Sequence, residues 1–241
     1  MIAMLGMYDR PEVADANDAF WSAIRSELGY GPDTLTRDMG FWEMWQSPDL
    51  LFAQTCGLPY RAKLHQSVQL VGTPDYGLEG CPPGFYRSAI IARKDARVDL
   101  ADLGATSFAY NDRLSQSGWA AFWAHVGADT KLGELKASGG HANSAKMVAK
   151  RDADLACLDA LTWTLIEKYD EFADELEVLD WTSPTPGLPY ITAMTRDPVE
   201  VSGAVRTAIA DLSENDRNLL HLKGLVDISS AEYLAIQMPP K

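Results

Sequence analysis

Short apolar runs separated by helix-length amphipathic segments recur along the whole chain, and this alternation constrains the fold more than any single motif. Ile2–Met7 reads as a buried strand. Val13, Ala16, Phe20, Ala23, Ile24 and Leu28 then follow a helical period that Gly29 stops. Leu50–Thr55 and Val68–Gly72 are further buried runs, and Tyr86–Arg93 is a longer alternating strand. After Asp95 the rhythm restarts. It predicts helix Val98–Leu103, strand Ser107–Tyr110, helix Gly118–Val126, strand Leu132–Ala137, helix Asn143–Lys150, strand Leu155–Leu158, helix Thr162–Tyr169 and a strand from Glu177. Such an order predicts an α/β fold of mostly parallel sheets flanked by helices.

A Pro-rich stretch, Thr182–Pro189, carries the chain out of the second block. Strand Tyr190–Met194 and helices near Val199–Leu212, Asn215–Leu222 and Ala231–Ile236 follow it. The first block ends too early to be complete and the tail is too short to fold alone. The economical solution is a discontinuous lobe, 1–92 plus 190–241, with 93–189 inserted as a second lobe. Two crossings then form a hinge near Ala92–Asp95 and Pro184–Leu188, and a ligand is expected in the cleft between lobes, at the carboxyl ends of strands.

Composition narrows the function. The 241 residues carry 34 acids against 21 bases, a net charge of −13, with no basic cluster, which argues against nucleic acid. No apolar run approaches the roughly 18 residues of a membrane span. Cys56, Cys81 and Cys157 are odd in number and show no CxxC spacing, and the four histidines make no HxxxH pair, so neither a disulfide framework nor a metal is expected. Phosphate loops of the GxxxxGKS/T and GxGxxG kinds are absent, and no cofactor is expected.

The polar residues that remain gather just past strand ends. Tyr110-Asn111-Asp112-Arg113-Leu114-Ser115-Gln116-Ser117-Gly118-Trp119 is a strand, a polar loop and a helix opening with Ser-x-Ser-Gly. Unpaired amide groups, hydroxyls and a glycine at a helix start suit a phosphate, phosphonate, sulfonate or carboxylate, although an ordinary serine cap reads the same. Ser138-Gly139-Gly140-His141 repeats the chemistry, with His141 as a donor or a surface histidine. Asp159 follows an apolar run, either as a ligand acceptor or as a helix cap. The first block offers Tyr8-Asp9, Gln54-Thr55 and Thr73-Pro74-Asp75-Tyr76, with tyrosines able to wall an organic group, or simply turn chemistry. A catalytic reading places Ser117, His141 and Asp159 as nucleophile, base and orienter, or Cys56 as a thiolate. No GxSxG elbow supports it.

Taken together, MYDRPE, ANDAFWSAIR, PDLLFAQTCGLPYR, VGTPDYGLEGCPPGFYRS, FAYNDRLSQSGW, the Ser-Gly-Gly-His passage, ADLACLDALTW and SPTPGLPYITA resemble the phosphate/phosphite/phosphonate substrate-binding protein family of ABC transporters, from about residue 4 to 195. The resemblance implies a type 2 periplasmic-binding-protein fold whose two lobes close over a small anion. It implies that Ser115, Gln116, Ser117 and Gly118 form the anion-binding helix start, that His141 is a ligand donor and Asp159 the acidic residue of the site. Tyr8 and Tyr76, with Thr55 and Thr73, are the candidates from the first lobe. The expected partners are a small anionic ligand and an ABC permease. Transporter-linked members carry a signal peptide or lipoprotein cysteine and this sequence shows neither. As written it reads as cytoplasmic, and as periplasmic if a leader has been removed. The rival readings are an enzyme on the same fold, using His141, Asp159 and Cys56, and a cytoplasmic ligand sensor.

Overall fold

The structure, a computed structural model, describes residues 1–240. β1 (Ile2–Met4) leads through a single 3-10 turn to α1 (Ala14–Leu28), which ends where Gly29 takes a left-handed φ of 73°. α2 (Phe41–Trp45) and β2 (Leu50–Gln54) follow, then α3 (Gly57–Pro59), which runs into a π turn at Tyr60–Leu64, and β3 (Val68–Asp75). β4 (Phe85–Tyr86), β5 (Ser88–Arg93) and β6 (Ser107–Tyr110) come next. A second π turn, Gln116–Ala120, opens α4 (Ala121–Val126). Then come β7 (Glu134–Ala137), α5 (His141–Ala149), β8 (Leu155–Asp159), α6 (Ala160–Tyr169) and β9 (Leu176–Trp181). The chain ends through β10 (Thr185–Pro186), β11 (Tyr190–Ala193), α7 (Pro198–Asp211), α8 (Glu214–Leu219), β12 (Gly224–Val226) and α9 (Ser230–Leu234). The helix expected over Val98–Leu103 is absent. There the Asp99 side chain accepts from the Ala101 amide, a local turn that competes with helical hydrogen bonding, and Leu103 is buried without it.

Two units result, Met1–Phe85 with Pro186–Ala235, and Tyr86–Thr185 with the segment from Ile236. The first crossing lies at residues 85/86 rather than at the expected 92/93. β5, assigned to the first lobe by its position in sequence, is bonded on both edges to strands of the second unit, β8 and β9. The second crossing, at Thr185–Pro186, falls inside the expected Pro184–Leu188 stretch. The two crossing segments, β4 and β10, pair with each other as a two-stranded ribbon. A third crossing, at Ile236, was not expected.

The first unit's sheet has the order β1-β2-β11-β3-β12. β1 and β2 run parallel, while β11 enters between β2 and β3 antiparallel to both. Side chains alternate across the sheet. Ala3, Val71 and Leu225 meet Phe20, Trp21 and Ile24 of α1 and Val201 and Val205 of α7. Met4, Leu50, Ala53 and Ile191 meet Trp45, Tyr60, Leu64 and Tyr233 on the other face. The β1–β2 register slips at Leu51, so Leu51 and Phe52 both reach the α1/α7 core.

The second sheet has the order β7-β6-β8-β5-β9. β7, β6 and β8 are parallel, and β5 runs against β8 and β9. Alternation is strict here. Ala89, Ile91, Ala109, Ala156 and Leu158 face α5 and α6, whereas Ile90, Ala92, Phe108, Leu155 and Cys157 face Trp119, Phe122 and Trp123. Phe122 stacks on Phe108 at 4.0 Å between ring centroids. Buried aromatic side chains stabilise such a docking by about 1.5–3 kcal/mol each, so the helix that carries them is held firmly by its body. Among the described residues, no helix is long and apolar enough to cross a membrane.

Candidate functional site

Because β6, β7 and β8 are parallel, their carboxyl ends share one edge of the second sheet. Each strand there passes into a helix: β6 into the Gln116 π turn, β7 into α5 at His141, and β8 into α6 at Ala160. Three helix starts, each with a partial positive charge, therefore gather where the sequence reading placed the anion site. The loop after β7 is tied to β6 by the Ser138 amide, which donates to the Tyr110 carbonyl at 2.9 Å. The Ser138 hydroxyl also donates to Gly140 O at 3.0 Å and lies 2.7 Å from the Ser144 hydroxyl.

This tie brings two loops together. Ser117 Oγ lies 2.9 Å from His141 Nε2, and Asn111 Nδ2 lies 3.4 Å from the same nitrogen. Ser115 is the helix cap, its hydroxyl accepting from the Gly118 amide at 3.0 Å and lying 3.4 Å from Ser117 Oγ. The first turn is wound wide, with the Ala120 amide donating to the Ser115 carbonyl at 3.0 Å, five residues back. Single π turns of this kind recur at functional positions. Gly118 is required sterically, since a Cβ there would stand 2.0 Å from Asn111 Oδ1 and 3.0 Å from His141 Cε1. The segment was expected to present open amide protons. Instead Ser115, Gln116 and Ser117 are buried, and the Gly118 amide is occupied by Ser115.

Among the described residues no Lys or Arg is hydrogen-bonded to Ser115, Ser117 or His141, and the imidazole adds no charge. Burial pushes His141 down to about 4 from 6.5, and a loose approach to the Cys157 backbone opposes it. No hydrogen bond closes on His141 Nδ1, nor on the buried Asn111 Oδ1 beside it. The ring is neutral in the folded protein near pH 7, whereas in the unfolded chain it charges below about 6.5. Between pH 4 and 6.5 the unfolded state therefore binds more protons and stability rises with pH. We expect stability to fall as pH drops through this window, by at most about 3 kcal/mol, the full value being an upper bound because part of the residue reaches solvent. Urea midpoints at pH 7 and pH 4.5 for wild type and His141→Gln check this. The variant should lose the part of the pH dependence that the imidazole supplies.

Asp159 lies on the same sheet edge and is buried, but its carboxylate accepts from the Thr162 amide at 3.0 Å and so caps α6. Gln116 lines a cavity of about 160 Å³ with Ala120, Ala121, His125, Thr182 and Gln237. Cys157 is buried, and its thiol is pushed far up by that burial.

In the first unit, Tyr8 and Tyr76 meet edge to face at 5.3 Å, both partly exposed. Thr55, directly after β2, is fully buried with its hydroxyl unpartnered. Thr73 departs from expectation. It was read as a loop residue past a strand end, but it is inside β3, paired with Val226 of β12, and its hydroxyl is bonded to Tyr233 at 2.6 Å. A Thr-Pro-Asp turn signal misleads here because β11 pairs with β3 only as far as Gly72, so Pro74 has no ladder neighbour on that side and its missing N–H forfeits no bond there. Asn111 and Tyr190 were not singled out as site residues, and Gln54 was offered only as the neighbour of Thr55 past β2. Gln54 donates to the Tyr76 hydroxyl at 2.9 Å, and Tyr190, whose hydroxyl is pushed well up by burial, bonds to the same group. Asn111 was visible in sequence only as the first polar residue after β6.

Two α/β units joined by paired crossings, with helix starts gathered at a strand-end edge, define a periplasmic-binding-protein class of ligand binder. The structure matches a binding protein component of an ABC phosphonate transporter from Pseudomonas aeruginosa with a TM-score of 0.74 and 16% identity, covering 98% of this chain and 84% of that one. It matches PhnD1 from Prochlorococcus marinus, solved in complex with methylphosphonate, with a TM-score of 0.69 and 15% identity, over 96% of this chain and 94% of that one. A Xanthomonas citri protein solved bound to ATP matches with a TM-score of 0.64 and 15% identity, over 96% and 92%. At these identities the likeness shows the fold. Comparison with curated proteins finds no match. The family model described as "ABC transporter, phosphonate, periplasmic substrate-binding protein" matches residues 2–233, and the chain belongs to that family.

Proposed function

We propose that this substrate-binding protein holds a phosphonate, or a closely related oxyanion ester, without transforming it. The observation that carries this is the Ser117–His141 contact of 2.9 Å beside Gly118. It is a cluster of uncharged donors at a helix start, shaped for an anion's oxygens and lacking a reactive partner. Ser115 and Ser117 donate to the oxyanion, with His141 and Asn111 completing the cradle. Asp159 accepts from a protonated phosphonate oxygen. Within the first unit, Tyr8, Tyr76 and the Thr55 hydroxyl are the candidates for ligand contact, the tyrosines being suited to an organic substituent. Thr73, engaged with Tyr233, supports rather than touches.

The enzyme reading is disfavoured by geometry. A Ser-His-Asp system needs a carboxylate orienting the imidazole. Here no carboxylate is hydrogen-bonded to His141 Nδ1, and Asp159 caps α6. The family's description, a periplasmic substrate-binding protein of an ABC transporter, supports a permease as partner and binding in the periplasm.

The test is a thermal-shift series with methylphosphonate, phosphite, inorganic phosphate and methanesulfonate, followed by mass spectrometry of the recovered ligand. A ligand at 100 times its dissociation constant adds about 2.7 kcal/mol, an easily read shift. Methylphosphonate should shift the transition and be recovered intact. No shift with any of the four, or recovery of a converted compound, overturns the reading.

A further inference from the structure

We infer that Gln54 and Tyr190 are positioning residues for ligand recognition, fixing the Tyr76 ring from two strands. The inference rests on the reading that Tyr76 meets the ligand. Gln54 is the last residue of β2 and Tyr190 the first of β11, and the two are register partners in an antiparallel pair. Both are about nine-tenths or more buried, and both hydrogen-bond the Tyr76 hydroxyl, Gln54 Nε2 at 2.9 Å. Strands of fixed register thus hold the hydroxyl end of a side chain whose own backbone has already left β3. Tyr190 is itself locked by aromatic packing, against Phe52 at 4.8 Å and Phe20 at 6.3 Å. Tyr76 meets Tyr8 at 80°, so the orientation of one ring sets the surface offered by the other.

Gln54 does a second thing. Its amide nitrogen also donates to the Leu188 carbonyl at 3.0 Å. Leu188 lies on the return segment just after the second crossing, where Gly187 N donates to Gly84 O at 2.8 Å and Tyr233 donates to Gly187 O at 2.9 Å. The two amide protons of one side chain therefore join the Tyr76 ring to the connecting segment. A carboxamide is the one side-chain group of this length with two donors on a single atom and no charge to desolvate. A buried, fully satisfied network of this kind rigidifies what it holds.

The test is a double-mutant cycle by calorimetry on the full chain, with methylphosphonate and inorganic phosphate as probes. Gln54→Met keeps the side chain's length and removes both donors, and Tyr76→Phe removes the shared oxygen. We expect Gln54→Met to weaken methylphosphonate binding about tenfold, the size of a lost hydrogen bond to a buried group. Inorganic phosphate, with no organic substituent, should lose less. In the Tyr76→Phe background the Gln54 substitution should change affinity less than about twofold, because the group it acts through has gone. A purely structural role would give the same loss in both backgrounds, and that result, or no loss at all, overturns the inference. Should Gln54→Met fail to fold, Tyr190→Phe, which deletes one oxygen from a packed ring, enters the same cycle with the same expectation. Wild type that binds neither probe overturns the proposed function and this inference with it, whereas binding with additive losses overturns the inference alone.

Discussion

Replacing Ser115 and Ser117 together by alanine is expected to lower methylphosphonate affinity at least about a hundredfold while leaving the protein folded. Hydrogen bonds to a charged group contribute about 1.5–3 kcal/mol each, so two lost hydroxyls account for this size. The structural cost is smaller. Ser115 is a helix cap that accepts from the Gly118 amide, and losing such a cap costs about 1 kcal/mol. Ser117 leaves one partner of His141 unmet. The helix itself is anchored elsewhere, through Trp119, Phe122 and Trp123 against β5, β6 and β8. Calorimetry should show the loss, and a thermal melt should show a transition lowered by only a few degrees. Unchanged affinity in a folded double variant would remove these hydroxyls from the site.

Gly118→Ala should abolish binding just as fully, by a different route. The added methyl would sit 2.0 Å from Asn111 Oδ1 and 3.0 Å from His141 Cε1. Asn111 reaches this point with the end of its side chain, so it can swing away, and overpacking of this kind costs about 1–3 kcal/mol. His141 must move with it, which opens the 2.9 Å contact with Ser117 on which the cradle depends. Affinity for methylphosphonate is expected to fall more than about a hundredfold, the equivalent of some 2.7 kcal/mol. Adding Asn111→Ala to the same chain removes the clashing oxygen and should restore part of the stability. It cannot restore binding, because the carboxamide belongs to the cradle. A Gly118→Ala protein that binds as well as wild type would show that ligand oxygens do not approach this turn.

Much of the second unit was legible in sequence because its strands are short, apolar and evenly spaced. Ser107–Tyr110 was read with both ends right, and the helix start at Ser115 was recognised from a polar loop meeting Ser-x-Ser-Gly. The sheet to which a strand belongs was not legible. The pattern of Tyr86–Arg93 announces a strand, but pairing with β8 and β9 is a tertiary choice that local pattern does not encode. Three-residue elements such as β12 lie below any periodic signal, and missing it turned Thr73 from a strand residue into a loop residue. Tyr8 and Tyr76 were chosen separately for their place after strands, and their ring contact bears out only their proximity. Gln54 and Tyr190, far apart in sequence, meet only because β2 and β11 are neighbours.

The uncharged character of the serine–histidine cradle bears on kinetics. A chain of net charge −13 repels an approaching oxyanion at distances beyond hydrogen-bond reach, and neither hydroxyls nor a neutral imidazole offer a compensating field. Encounter is thus a matter of diffusion against a mild barrier that dissolved salt lowers, so association should quicken as ionic strength rises. Discrimination begins only at the last few ångströms, once the ligand has shed its water.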